Sequence, residues 1–213
     1  MRMNVLKLAI AGIAILFIAL VAMFGVSMVL MPGAGHIAAP AQNESPDDTP
    51  DAGDSLPVVP GNIKTAFGSL SMASADTAVR EWLADKTTVY VAGIASDFCV
   101  DGESDQWTIT YASDKGQYIV FVTGGSIVET RDSQSSPQQG IDPRALIDSD
   151  RAWGAVADDI KASGGTLPET VSMKLMIVAG TPCWDVSYQA SDGFRILRID
   201  ASDGTISDRA TIG

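Results

Sequence analysis

The residues with the most chemistry to offer are few, and their placement is mostly unhelpful to catalysis. The chain of 213 residues holds one histidine, His36, and two cysteines, Cys99 and Cys183. His36 lies in the Pro-rich stretch and the folded-looking part has no histidine, which removes Ser-His and Cys-His nucleophiles and every zinc site built on histidine. Two cysteines are too few for a four-ligand zinc site or a disulfide scaffold. Acidic residues cluster twice, as Asp97, Asp101, Glu103 and Asp105, and as Asp200, Asp203 and Asp208. Neither run has the ligand spacing of a calcium loop, and Asp beside Gly is ordinary hairpin chemistry. The expectation is no catalytic residue, no metal and no cofactor.

Three weaker sites remain. Trp107, Tyr111, Trp184 and Tyr188 are the aromatics that could line a peptide groove, although alternating aromatics usually form core. Cys99 and Cys183 each precede a Trp-led strand. A bridge between them would need Cα atoms within about 7 Å. Asn43-Glu44-Ser45 is an N-x-S sequon, which makes Asn43 a glycosylation candidate.

The elements that would hold these residues come as a repeat. Trp107-Thr108-Ile109-Thr110-Tyr111 returns as Trp184-Asp185-Val186-Ser187-Tyr188, and each copy is followed by a polar turn and a second β-rich stretch. A helix is expected before each copy. Ser74 and Asp76 open the first, and Asp142-Pro143 precedes a second over about 149–162. The expected fold class is α+β: an N-terminal transmembrane helix, a disordered stalk, then two tandem units. Each unit is one helix packed on a three- or four-stranded antiparallel sheet. The boundaries read are 1–31 for the anchor, 32–60 for the stalk, 61–132 for the first unit, 133–141 for a linker and 142–213 for the second unit.

From Leu8 to Met31 no residue is charged. As a helix this run would be about 36 Å long, enough to cross a hydrocarbon core of about 30 Å. Arg2 and Lys7 precede it, which places the N-terminus in the cytoplasm and the rest outside, a single-pass arrangement in the cell membrane. Ala39-Pro40-Ala41 imitates a cleavage site and gives the competing, secreted reading. Residues 32–60 are rich in Pro and Asp and too poor in apolar surface to order themselves. The net charge of −12 argues against nucleic acid.

Trp184 to Tyr188, the Asp192-Gly193 turn, Phe194 to Ile199 and Asp200-Ala201-Ser202-Asp203-Gly204-Thr205-Ile206 together resemble the PepSY domain. The likeness covers about 142–210 well and 70–130 loosely. It implies a secreted or membrane-tethered module, suspected of binding or restraining peptidases, with no shared catalytic residues. The functional expectation is therefore a membrane-anchored extracytoplasmic binding or regulatory module with a protein or peptide partner. Two alternatives stand beside it: a structural or assembly subunit of the cell surface, and an enzyme with an unrecognised site.

Overall fold

The computed structural model describes residues 62–84, 86, 88–133 and 139–212. Three helices, α1 (Ala66–Ala75), α2 (Thr77–Ala84) and α3 (Ser149–Ala162), accompany eight strands. These are β1 (Val89–Cys99), β2 (Gln106–Ser113), β3 (Gly116–Thr123), β4 (Ser126–Ser133), β5 (Val171–Val178), β6 (Thr181–Ala190), β7 (Gly193–Asp200) and β8 (Ile206–Ile212).

All eight strands lie in one antiparallel sheet of order β4-β3-β2-β1-β5-β6-β7-β8. This corrects the expected fold of two tandem helix-on-sheet units. Each half is a four-stranded meander, but β1 and β5 pair with each other and fuse the halves into one sheet. The reason is an edge. A short meander ending on an apolar strand leaves unpaired N–H and C=O groups, and pairing with its own duplicate removes two such edges at once.

The expected transmembrane helix has no counterpart among the described residues. Among the described residues no helix is long and apolar enough to cross a membrane. The stretches 8–31 and 32–60, with Asn43 and His36, lie outside the described residues.

The duplication itself is visible in the register. Trp107 pairs with Val122 and Trp184 with Ile199, a shift of 77 residues (107 to 184). The same shift relates the bulge between Phe121 and Val122 to that between Arg198 and Ile199. At the junction Ile94 faces Leu175, Ala95 faces Lys174 and Ser96 faces Met173. A local two-fold therefore passes through the Ala95–Lys174 pair.

Alternation puts the apolar half of each strand on one face, under the helices. Trp107, Ile109, Tyr111, Met173, Leu175, Trp184, Val186 and Ile199 are all buried there with Phe67, Leu70, Val156 and Ile160. The two tryptophans make equivalent bonds. Trp107 Nε1 donates to the Lys64 carbonyl at 2.8 Å, and Trp184 Nε1 to the Ile147 carbonyl at 3.0 Å. Each indole thus ties its strand to the residue two before a helix and satisfies a buried donor.

The helix N-termini meet across the junction. Asp148 Oδ1 accepts from its neighbour Ser149 N (2.7 Å) and from Phe67 N of α1 (3.0 Å), while Ser149 Oγ accepts from Ala66 N (3.1 Å). One carboxylate therefore caps both halves. Burial raises the Asp148 carboxyl above its ordinary range, against the lowering effect of these bonds. The Asp101-Gly102 turn docks beside them. Trp153 Nε1 of α3 donates to Asp101 Oδ1 at 3.2 Å.

The predicted linker is only partly a linker. Ser133 ends β4, and Ile141 bridges Val91 with its N–H on the Val91 carbonyl at 2.8 Å. It occupies the length of β1 that β5 does not reach, since that pairing begins at Ile94.

Candidate binding surface

The face opposite the helices is the one that presents side chains outward. In its first half a cleft of about 270 Å³ is lined by Asp97, Phe98, Thr108, Phe121, Val128 and Glu129, among others. Two β-bulges build it. In β1 the pairing jumps from Ser96–Met173 to Cys99–Val171, so the strand carries one residue too many. Phe98 N donates to Ser96 Oγ (3.2 Å), and Ser96 Oγ donates to Ser104 Oγ (2.9 Å), which fixes the kink. In β4 the pairing passes from Val122–Ile127 to Phe121–Glu129, leaving Val128 as the extra residue. A bulge re-aims a side chain and is frequent at functional sites. Here both turn an apolar group to solvent: Phe98 is 64% exposed and Val128 62%.

Charge surrounds the apolar rim. Glu129 is paired with Arg131 at 2.6 Å, which holds its carboxyl below the ordinary range. The Arg131 guanidinium lies 4.9 Å from the Phe121 ring centre, within cation–π reach. Asp97 accepts from Ser172 Oγ at 3.1 Å.

The duplicated position in the second half is filled instead of hollow. Phe121 is matched there by Arg198 and Thr108 by Asp185, and these two form a bidentate pair at 2.8 and 3.0 Å. Val128 is matched by Ser207, whose hydroxyl bonds the Arg198 carbonyl at 3.3 Å. At this spot the two halves differ in kind: one holds an apolar opening, the other an ion pair.

The residues singled out from sequence fall elsewhere. Trp107, Tyr111, Trp184 and Tyr188 are 2%, 0%, 0% and 5% exposed, so all four are core under the helices, and of them only Trp107 also borders the cleft. Tyr111 Oη and Ser74 Oγ share a hydrogen bond of 2.9 Å there, and burial raises the phenol well above its usual range. Cys99 and Cys183 are both free thiols. Cys99 faces Val171 and Cys183 faces Met176, so β5 separates them by about 17 Å along its length. The repeat aligns Cys183 with Gln106 rather than with Cys99, because the true shift is 77 and not the 84 that separates the thiols. Burial pushes the Cys99 thiol up to about 11.

The acidic clusters are occupied by structural contacts. Asp101 holds Trp153, Glu103 accepts from Asn62 at 2.7 Å, and Asp105 pairs with Lys64 at 3.1 Å. Asp200 and Asp203 accept from residues two positions on in their own turn. Among the described residues no group of three or more His, Cys, Asp or Glu is placed to hold a metal ion.

No family model matches the chain, and no curated protein matches it. The resemblance to the PepSY domain rests on the residues quoted for it alone. Among solved structures, the crystal structure of a "putative lipoprotein" from Clostridium difficile 630 is similar at a TM-score of 0.47 and 10% identity, over 63% of this chain and 90% of that one. At that score the likeness assigns neither a function nor a location.

Proposed function

We propose that the protein is a non-enzymatic binding module that holds an extended protein segment in the cleft between Phe98 and Val128. The observation that supports this most is the pair of bulges. Each turns an apolar side chain outward at a place where regular alternation would bury it or exchange it for a polar neighbour. The cleft has room for one or two large side chains and is small for a cofactor, whose sites run from about 300 Å³ upward. Asp97 and Glu129 beside it suit a segment that carries a cation next to its apolar anchor.

The module works outside the cytoplasm in association with the membrane. The apolar run 8–31 after Arg2 and Lys7, and the Pro- and Asp-rich stretch 32–60, support that placement. A peptidase or another envelope protein is the partner class that fits such a display.

Selection of a random peptide library on the full chain tests the reading. The expected winners carry an aromatic or aliphatic residue beside Lys or Arg, and Phe98→Asp and Val128→Asp each weaken their binding at unchanged melting temperature. Selected peptides that bind both variants as well as the parent chain would overturn it.

A further inference from the structure

Among the described residues the sheet has two unpaired edges, β4 and β8. They differ in a property that decides what each can pair with. In β4 the residues Glu129 and Arg131 face Phe121 and Ile119, so both side chains lie on the open face, two residues apart with Thr130 between them. A two-fold axis through Thr130 in an antiparallel pairing sets Glu129 opposite the Arg131 of another copy, and Arg131 opposite its Glu129. The strand is electrostatically complementary to itself. In β8 the charged pair is Asp208 and Arg209, adjacent residues on opposite faces. No two-fold register brings those two opposite each other.

The backbone is arranged for the same register. Ser113 and Gly116 close the two-residue turn between β2 and β3, so they form a hydrogen-bonded pair. Bonding alternates from there, so Tyr118 and Val120 bond toward β2 while Ile119 and Phe121 bond toward β4. Their partners Arg131 and Glu129 therefore spend their amides on β3. Thr130 and Asp132 point their N–H and C=O groups to the free edge. In the two-fold register Thr130 meets Thr130 as a hydrogen-bonded pair, and Asp132 meets Val128. The Glu129–Arg131 crossings then fall on the non-bonded sites, where facing side chains come closest.

We infer that β4 is a docking edge for a second copy of this chain, paired antiparallel about Thr130 so that the two meanders continue as one sheet through a Glu129–Arg131–Glu129–Arg131 quartet. The within-chain contact of Glu129 and Arg131 at 2.6 Å already holds both side chains on the open face. Edge charges usually keep strands apart. Here their spacing repels a shifted register and accepts this one. The inference does not rest on the proposed cleft ligand, although Val128 and Glu129 border both features.

Disulfide trapping of the full chain tests it, because Cys99 and Cys183 are buried and the introduced thiol would be the accessible one. Thr130→Cys is expected to give a disulfide-linked dimer under mild oxidation, since facing Cα atoms in a hydrogen-bonded pair are about 5.5 Å apart, within disulfide reach. Thr211→Cys on β8 is the control and should stay monomeric. Adding Arg131→Glu puts four carboxylates at the junction and should slow trapping about tenfold, two repulsive crossings replacing two attractive ones. Adding both Glu129→Arg and Arg131→Glu restores the complementarity and should restore the rate. Trapping of Thr130→Cys no faster than Thr211→Cys would overturn the inference. So would a double exchange that fails to rescue while its tryptophan fluorescence remains that of the parent.

Discussion

Replacing Asp148 is the most direct way to measure what joins the two halves. Its Oδ1 serves Ser149 N at 2.7 Å and Phe67 N at 3.0 Å. Asp148→Ala removes the cap of α3, about 1 kcal/mol. It also leaves the Phe67 amide without an acceptor near a buried helix end, about 1–2 kcal/mol more. The expected loss is about 2–3 kcal/mol, or about 6–9 °C in melting temperature for a domain of this size. Asp148→Asn keeps an oxygen in place and should lose under about 1 kcal/mol. The pH dependence has a definite sign. Burial raises the folded carboxyl above its unfolded value, so the folded state holds the proton more tightly. The contribution of this group to stability is therefore greatest below the unfolded value and declines as pH rises through the raised one. Parent and Asn variant, melted by circular dichroism from about pH 3 upward, should differ by that decline. An Asn variant as damaged as the Ala variant would refute the account, as would an Ala variant within about 0.5 kcal/mol of the parent.

Trp107→Ala and Trp184→Ala should each cost about 3–5 kcal/mol in denaturant melts, because both rings are fully enclosed. Ala179 has φ 51 in the turn before β6, a conformation that costs a residue with a Cβ about 1 kcal/mol; Ala179→Gly or Ala179→Asn should recover part of that in a thermal melt. Gly102 has φ 80 and a Cβ there would lie 2.5 Å from Asp150 Cα, whereas at Gly180 nothing is within 4 Å; Gly102→Ala should thus destabilise more than Gly180→Ala in paired melts. Unfolded, unreduced protein should titrate two free thiols, and in the native state Cys99, with its thiol pushed up to about 11, should resist alkylation at pH 8 until the chain unfolds.

Much of the local structure was legible because its signals are local. The helix read over about 149–162 matches α3, where apolar periodicity is unbroken. Caps were legible only in part: Ser74, read as opening the first helix, lies inside α1 with its hydroxyl bonded to Tyr111. Asp76 caps α2, accepting from Ala78 N and Val79 N, while α1 lies upstream with Thr65 as its cap. Asp142-Pro143 opens a single 3₁₀ turn, and the cap of α3 is Asp148. What joins the halves was not legible, since β1–β5 pairing leaves no mark in either strand's own pattern. The cleft was missed for a related reason. Bulges interrupt alternation, so Phe98 and Val128 read as ordinary members of their strands. The run Asp97-Phe98-Cys99-Val100, which breaks the period of two, was the signal available.

The junction at Ala95 and Lys174 has a consequence for how the chain is made. Each meander closes through near neighbours, so the first can assemble as it leaves the ribosome, while β5 is still unsynthesised. During that interval β1 is an open, largely apolar edge, and its proper partner is about eighty residues away along the chain. A β5 from a second nascent chain offers the same register at no extra cost in geometry. Slow synthesis or crowding of chains therefore favours exchange of whole C-terminal halves, giving swapped dimers whose every contact is native except its connectivity. The symmetry that removes two edges from the finished protein makes its assembly sensitive to concentration.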